Sequence, residues 1–328
     1  MEQRNFKPFG SISSLTLGGG GIGNVWGETS RKEAIETVNL AYESGINHFD
    51  VAPMYGRGEA EKVVGMALKN KPLEEINITT KCRLGNPKDS KVYDVLNDSL
   101  CRSLETMELE KVNLFLLHSQ LIEDDFHFFK FDETREKSGT TLSCYFNAVI
   151  PAFERLKQEG KIDHWGIGLG QGEALIKAIN YSKPPEAMQC AVNVLNSIGA
   201  IGYVNEKNDP NKILNECQNK NVPILAIRAV QAGALTSSMD RKPHESGFDV
   251  EDFKDFEKAL PFREYAKKVN ENPASLAHRY ALSQEKVSSV ILGVKNRKEL
   301  LECIKAESAG ELDKEMLANL NNLFKNMK

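Results

Sequence analysis

Four polar residues of this sequence have the types and spacing to move a proton: Asp50, Tyr55, Lys81 and His118. They fall at or just beyond the carboxyl ends of three successive apolar runs that read as strands, Ile46 to Asp50, Ile76 to Thr80 and Val112 to His118. Adjacent parallel strands lie about 5 Å apart, so side chains at matched strand ends meet within hydrogen-bond reach. A tyrosine hydroxyl titrates near pH ~10 and exchanges protons poorly at neutrality, whereas a buried ammonium beside it favours the phenolate. Lys81 is the candidate ammonium and Asp50 its counter-ion. A neutral His118 would hydrogen-bond a substrate oxygen and hold it near Tyr55. The chemistry this implies is carbonyl protonation coupled to the arrival of hydride. Singly, each residue has an ordinary structural reading as an ion pair, a core histidine or a packed loop tyrosine. Their coincidence at matched strand ends is what points to catalysis.

The elements that must position these residues recur along the whole chain. Short apolar runs alternate with amphipathic helical patterns, which is what a parallel sheet with crossover helices produces. Eight runs qualify as strands: the three above, then Leu15 to Leu17, Trp165 to Leu169, Ala187 to Val192, Ile224 to Arg228 and Ser289 to Leu292. Ala34, Ile35, Val38, Ala41 and Tyr42 follow the spacing of one buried helix face, as do Ala60, Val63, Val64, Ala67 and Leu68. Ser30 with Glu33 forms a capping box for the first of these helices, and Gly45 stands at its carboxyl end. Eight strands predict one (β/α)8 barrel, a TIM barrel, as a single domain over residues 1–328. Two connections, 119–147 and 229–260, are longer than a simple βα loop and are expected over the carboxyl face, where barrel enzymes build their sites. The first carries Phe126, His127, Phe128, Phe129, Phe131, Tyr145 and Phe146, enough aromatic surface to wall an apolar or sugar-stacking pocket.

Gly18 to Gly23 formally satisfies the G-x-G-x-x-G pattern of a Rossmann dinucleotide site. The context argues against it. In that fold the helix opens within the glycines, whereas here 24–29 intervene before the capping box at Ser30. The glycines, Gly21 among them, are read instead as letting the backbone pass close to a ligand bound above the barrel mouth.

Composition narrows the function classes. A 328-residue chain with 41% hydrophobic and 27% charged residues and a net charge of −4 is an ordinary globular composition, with no basic footprint for nucleic acid or an anionic membrane. Small molecules are the expected partners. Six scattered cysteines form neither a zinc spacing nor a dense disulfide framework, and neither a signal-like apolar core nor a run of about 20 apolar residues is seen. A cytoplasmic protein without a metal site is expected. No feature specifies an oligomeric state.

The segment from Asn47 through Asp50 and Tyr55 to Gly56, followed by Glu59 to Gly65, resembles the signature of the aldo-keto reductase family. Thr79-Thr-Lys81, Leu116-Leu-His118, Met188-Gln189 and Val290 to Arg297 fall in that family's order, so the resemblance spans essentially the whole chain. It implies an oxidoreductase passing hydride between NADP(H), with NAD(H) as the alternative, and an aldehyde, ketone or the corresponding alcohol. Tyr55 would be the general acid or base, tuned by Lys81 and Asp50, with His118 orienting the substrate. Two other readings are an aldose 1-dehydrogenase and a regulatory barrel that binds cofactor with little turnover. The resemblance further implies that Gln189 contacts the nicotinamide carboxamide. Arg228 and the residues to Leu235 would follow the pyrophosphate. Gly293, Lys295, Arg297 and Glu302 would surround the adenosine end.

The departures are specific. Gly166-Ile-Gly-Leu169 stands where the family usually has Gly-Val-Ser-Asn, so the Ser and Asn that help hold the carboxamide are absent. Ile227 replaces the family's nicotinamide-stacking Tyr. Beside it Arg228 would face the pyrophosphate, the alternative being a structural ion pair. Glu299 stands where NADP-preferring members have a phosphate-binding Arg, but Lys295, Arg297 and Lys298 crowd the same turn at a helix N-terminus. Their summed charge predicts a moderate preference for NADP(H).

Overall fold

A computed structural model of the chain describes residues 1–204, 209–285 and 287–324. Two short antiparallel strands, β1 (Gln3–Phe6) and β2 (Gly10–Ser13), form an N-terminal hairpin that sequence patterning did not reveal. The eight anticipated strands follow as β3 (Leu15–Gly18), β4 (His48–Asp50), β5 (Asn77–Cys82), β6 (Val112–Ile122), β8 (Ile162–Gly170), β9 (Ala187–Ala191), β10 (Ile224–Ile227) and β11 (Val287–Leu292). A further short strand, β7 (Gly139–Thr141), runs beside the end of β6. The barrel strands pair in parallel, and β5 against β6 closes the ring.

Strand alternation sorts side chains between the two faces of the ring. Leu15, Leu17, Phe115, Leu117, Trp165 and Ile167 join the large core between strands and helices. Leu114, Leu116, Ala187 and Leu225 form a separate inner cluster with Phe6 and Ile12 of the hairpin, so the hairpin stops one end of the barrel. The other end holds Asp50, Lys81 and His118.

Helix Arg31–Glu43 begins at the expected cap, where the Ser30 hydroxyl accepts from the Glu33 amide at 3.1 Å. The reciprocal half of the capping box is not made, because the Glu33 carboxylate accepts from Arg297 Nε and Nη2 at 3.1 and 2.9 Å instead. One helical turn, Gly19–Ile22, does open within the glycine run, a difference from the sequence reading. It stops there, and the longer helix starts at Arg31. At Gly21 a Cβ would lie 1.9 Å from the Val294 carbonyl oxygen and 2.6 Å from that of Gly293. What passes close to Gly21 is therefore the backbone following β11. Backbone cannot retreat as a side-chain tip can, so Gly21→Ala is expected to cost about 1–3 kcal/mol by overpacking, read as a lowered urea midpoint. An unchanged midpoint would show that the two loops separate freely.

The two long connections are more structured than the sequence suggested. Residues 119–122 extend β6, and the stretch from Asp132 to Val149 contains a 3-10 turn, β7 and a π-helical turn at Tyr145–Val149. Phe128 and Tyr145 are buried, whereas Phe129 and Phe131 are exposed. Helix Val250–Lys258 occupies the second connection. Lys130 Nζ donates to Glu251 Oε1 at 2.7 Å, so the connection after β6 is tied to the one after β10. All six cysteines are unpaired, and only Cys101 is exposed. Among the described residues no helix is long and apolar enough to cross a membrane, and no group of His, Cys, Asp and Glu could hold a metal ion.

Candidate active site

Asp50 ends β4, and Lys81 lies on β5 two residues beyond Thr79, its register partner. Both side chains point into the barrel, and Lys81 is fully buried. Lys81 Nζ donates to Asp50 Oδ1 at 2.5 Å and to the Val51 carbonyl at 2.9 Å. Tyr55 sits on the turn between β4 and helix Glu59–Leu68, held by its amide to Ala52 O at 3.0 Å and by Ala60 N to its carbonyl at 3.2 Å. Gly56 takes a left-handed φ of +64° there, and a Cβ on it would lie 2.3 Å from the Gly23 carbonyl oxygen, so this turn needs glycine. The Tyr55 ring centre is 4.9 Å from Lys81 Nζ, and His118 meets the ring edge-on with centroids 5.8 Å apart. All four predicted residues therefore converge at one end of the barrel.

Burial and charge act against each other at each group. Burial raises the Tyr55 hydroxyl above its ordinary pKa; the Lys81 ammonium pulls it down, and Asp50 adds a smaller upward push. Burial opposes the charge on Lys81, but Asp50 and Tyr55 hold its pKa above the usual lysine value. Asp50 is raised by burial and partly restored by Lys81 and Gln189. His118 is held well below the ordinary histidine range by burial, helped by the nearby charges of Lys81 and Arg83, and is neutral at physiological pH. The cluster thus combines a permanent buried cation, a proton-bearing hydroxyl and a neutral hydrogen-bonding imidazole.

The layer beneath is also polar. His48, two residues before Asp50 on the same face, bonds through Nδ1 to Thr16 Oγ1 at 2.9 Å and through Nε2 to Thr79 Oγ1 at 2.7 Å. Thr16 Oγ1 continues to Ser289 Oγ at 2.6 Å, so one chain of bonds links β11, β3, β4 and β5. Burial lowers the His48 pKa to about 3, with Lys81 adding to the effect, and no second charge competes with Lys81 there.

The residues assigned to a cofactor are more dispersed. Gln189 reaches across from β9, donating Nε2 to Asp50 Oδ2 at 2.8 Å. Arg228 adopts a left-handed backbone, φ +59°, and its buried guanidinium is hydrogen-bonded to Asp252 Oδ1 and, at 2.9 Å, to Gln231 Oε1. This ion pair is the alternative reading given for Arg228 above. Lys295 Nζ pairs with Asp240 Oδ2 and lies 3.0 Å from Glu299 Oε1. Arg297 pairs with Glu33 rather than standing free. Gly293 has the Trp26 indole 3.1 Å from where a Cβ would be, and Glu302 is exposed. One polar residue escaped the sequence reading. Gln120 is 4% exposed, its side chain makes no hydrogen bond among the described residues, and it lines a cavity with Gly168 and Gln189. Its only signal was its position two residues after His118.

A closed parallel barrel with this cluster at one end is the architecture of a barrel enzyme. The model of the aldo/keto reductase family matches residues 14–325, and the chain belongs to that family. It is an oxidoreductase. L-galactose dehydrogenase of Arabidopsis thaliana is 26% identical over 327 residues, covering 97% of this chain and 92% of that protein. The holo form of an aldo-keto reductase from Bacillus halodurans superposes with a TM-score of 0.72 at 20% identity, covering 98% of this chain and 96% of the other. An aldo/keto reductase from Klebsiella pneumoniae in complex with NADP and acetate has a TM-score of 0.66 at 18% identity, covering 98% and 95%. These structural likenesses concern the fold.

Proposed function

We propose that the chain, acting as one barrel unit over residues 1–328, transfers hydride between NADP(H) and an aldehyde, ketone or the corresponding alcohol, with Tyr55 as general acid or base. The observation that carries this reading is the buried Lys81–Asp50 pair set beside Tyr55, with neutral His118 at the ring edge. The cofactor supplies or accepts the hydride when bound. His118 donates a hydrogen bond to the substrate oxygen and holds it toward Tyr55. In reduction the Tyr55 hydroxyl gives that oxygen a proton; in oxidation the phenolate, stabilised by Lys81, removes it. Asp50 keeps Lys81 charged and in place, and the His48 chain fixes the two strands that carry them.

The aldose 1-dehydrogenase reading has its own support, since the Arabidopsis relative is named for an L-galactose dehydrogenase activity. The deciding experiment is steady-state absorbance with reduced cofactor against a panel of aldehydes and ketones, and with oxidised cofactor against a panel of aldoses. Turnover in either panel supports hydride transfer, and the productive panel selects the substrate class. Binding without turnover in both would leave the regulatory barrel. A cytoplasmic setting is part of the proposal and is supported by the six unpaired cysteines.

The residues present fit a nicotinamide better than they fit the far end of a dinucleotide. Among the described residues Gln189 Oε1 has no hydrogen-bond partner, and it lies close to Gly168, which also borders His118. Lys295 and Arg297, by contrast, already hold carboxylates. A charged hydrogen bond contributes about 1.5–3 kcal/mol, so one cation turned to the 2′-phosphate would favour NADP(H) by about 10- to 100-fold. Neutralising Lys295 or Arg297 is expected to reduce the ratio of kcat/KM for NADPH over NADH. Glu299→Gln is expected to raise it by removing one competing carboxylate from Lys295. A ratio of one or less that none of these variants moves would show the turn to be surface alone.

A further inference from the structure

Arg228, Lys295 and Arg297, on the side of the barrel mouth assigned to the cofactor, each hold a carboxylate. Across the ring Arg83 holds none. In the closed order of strands β5 stands opposite β10, and Arg83 follows directly on Cys82, the last residue of β5. Thr79 and Lys81 of that strand face the barrel interior, where they meet His48 and Asp50, whereas Cys82 and Leu84 join the core between strands and helices. Arg83 therefore continues the inward row, one step of about 7 Å beyond Lys81 toward solvent. Its charge reaches the catalytic cluster, where after burial and Lys81 it is the third influence holding the His118 imidazole neutral. The chain that follows is fixed: Gly85 N donates to Ser119 Oγ at 2.8 Å, Thr140 Oγ1 donates to the Gly85 carbonyl at 2.6 Å, and Asn86 N donates to the Glu136 carbonyl at 3.0 Å.

Arg83 is exposed and, among the described residues, has neither a hydrogen bond nor an ion pair. Arg57, in the turn just after Tyr55, is exposed and unpaired in the same sense. Lys81 is neutralised by Asp50, so the rim above β4 and β5 keeps a positive charge that no carboxylate of the site answers. An exposed arginine is ordinarily a solvated surface group. One held on a fixed backbone at a strand end, on the face of Lys81 and beside His118, stands where a substrate must pass. A guanidinium fork matches the paired oxygens of a carboxylate or phosphate. We infer that Arg83 is a specificity residue for a substrate that carries such an anion, taking the anion while Tyr55 and His118 take the reacting oxygen. This rests on the proposed hydride transfer and narrows its substrate class: an anionic aldehyde or ketone in the reductase reading, a sugar phosphate or sugar acid in the aldose reading.

The test is a ratio, kcat/KM for an anionic substrate over that for its neutral counterpart, compared between wild type, Arg83→Gln and Arg83→Lys. With reduced cofactor the probes are para-formylbenzoate against its amide, and para-formylphenyl phosphate against para-hydroxybenzaldehyde; with oxidised cofactor they are glucose phosphate against glucose. Comparing one ratio across enzymes cancels the intrinsic reactivities of the probes. The ratio is expected to be about 10-fold higher in wild type than in Arg83→Gln, the lower end for a charged hydrogen bond because Arg83 is exposed, with Arg83→Lys in between. The pair that shows the larger drop tells carboxylate from phosphate. Added salt should shrink the wild-type ratio and leave that of Arg83→Gln where it was. Equal ratios in wild type and Arg83→Gln would overturn the inference while leaving the proposed function standing. A loss shared by both members of each pair gives equal ratios too, and would make Arg83 structural. No turnover of any probe in either direction would instead remove the hydride-transfer reading, and the inference with it.

Discussion

Tyr55→Phe is expected to lower kcat by at least about 100-fold while leaving the affinity for NADP(H) at the wild-type value. The substitution removes one oxygen and keeps the ring that meets His118 edge-on, so the packing of the turn survives. What disappears is the hydroxyl of the ring beside the Lys81 ammonium, and general acid–base catalysis is worth about 100- to 10,000-fold. His118 does not replace it, because burial and two nearby cations keep its imidazole deprotonated. Rapid measurement of kcat with a saturating substrate, beside fluorescence titration of the reduced cofactor, separates chemistry from binding. Retention of more than about a tenth of the wild-type rate would sink the assignment of Tyr55 as acid or base.

Lys81→Met is expected to be as damaging to rate and, unlike Tyr55→Phe, to lower stability as well. Burial raises the Tyr55 pKa and Lys81 is the group that restrains it, so without the ammonium the Tyr55 pKa climbs further. Residual alcohol oxidation, which needs the phenolate, should then require a higher pH than in wild type; an unmoved profile would remove Lys81 from that role. The stability effect comes from Asp50. Losing its partner leaves a carboxylate 2% exposed with, among the described residues, only Gln189 donating to it, and a broken buried pair costs about 3–5 kcal/mol. Asp50 escapes part of this by binding a proton. Its folded pKa then lies above the unfolded value, so the folded state binds more protons, and the deficit is small below the unfolded pKa and grows as pH rises through the folded one. Denaturation of Lys81→Met at acid and neutral pH reads this directly. The double variant Lys81→Met with Asp50→Asn should regain stability without regaining rate, which distinguishes a folding defect from a lost cation.

Local pattern and covalent order determined much of this protein. All eight barrel strands are apolar runs of recognisable length, the Ser30 cap lies where its residue type demands, and Asp50, Tyr55, Lys81 and His118 were legible because strand ends in a parallel barrel converge on one face. Partner choice among charges was not legible, because it depends on which elements lie side by side. The buried Arg228 meets Asp252 and the exposed Arg297 meets Glu33 of a distant helix, and neither pairing can be read from the chain order. The same holds for Gln120 and for the Thr16–His48–Thr79 chain. A polar side chain on a strand has one of two directions, and only the closed barrel, with its bulge between Leu117 and Gln120, decides which residues share its interior and which amide is left facing an open slot.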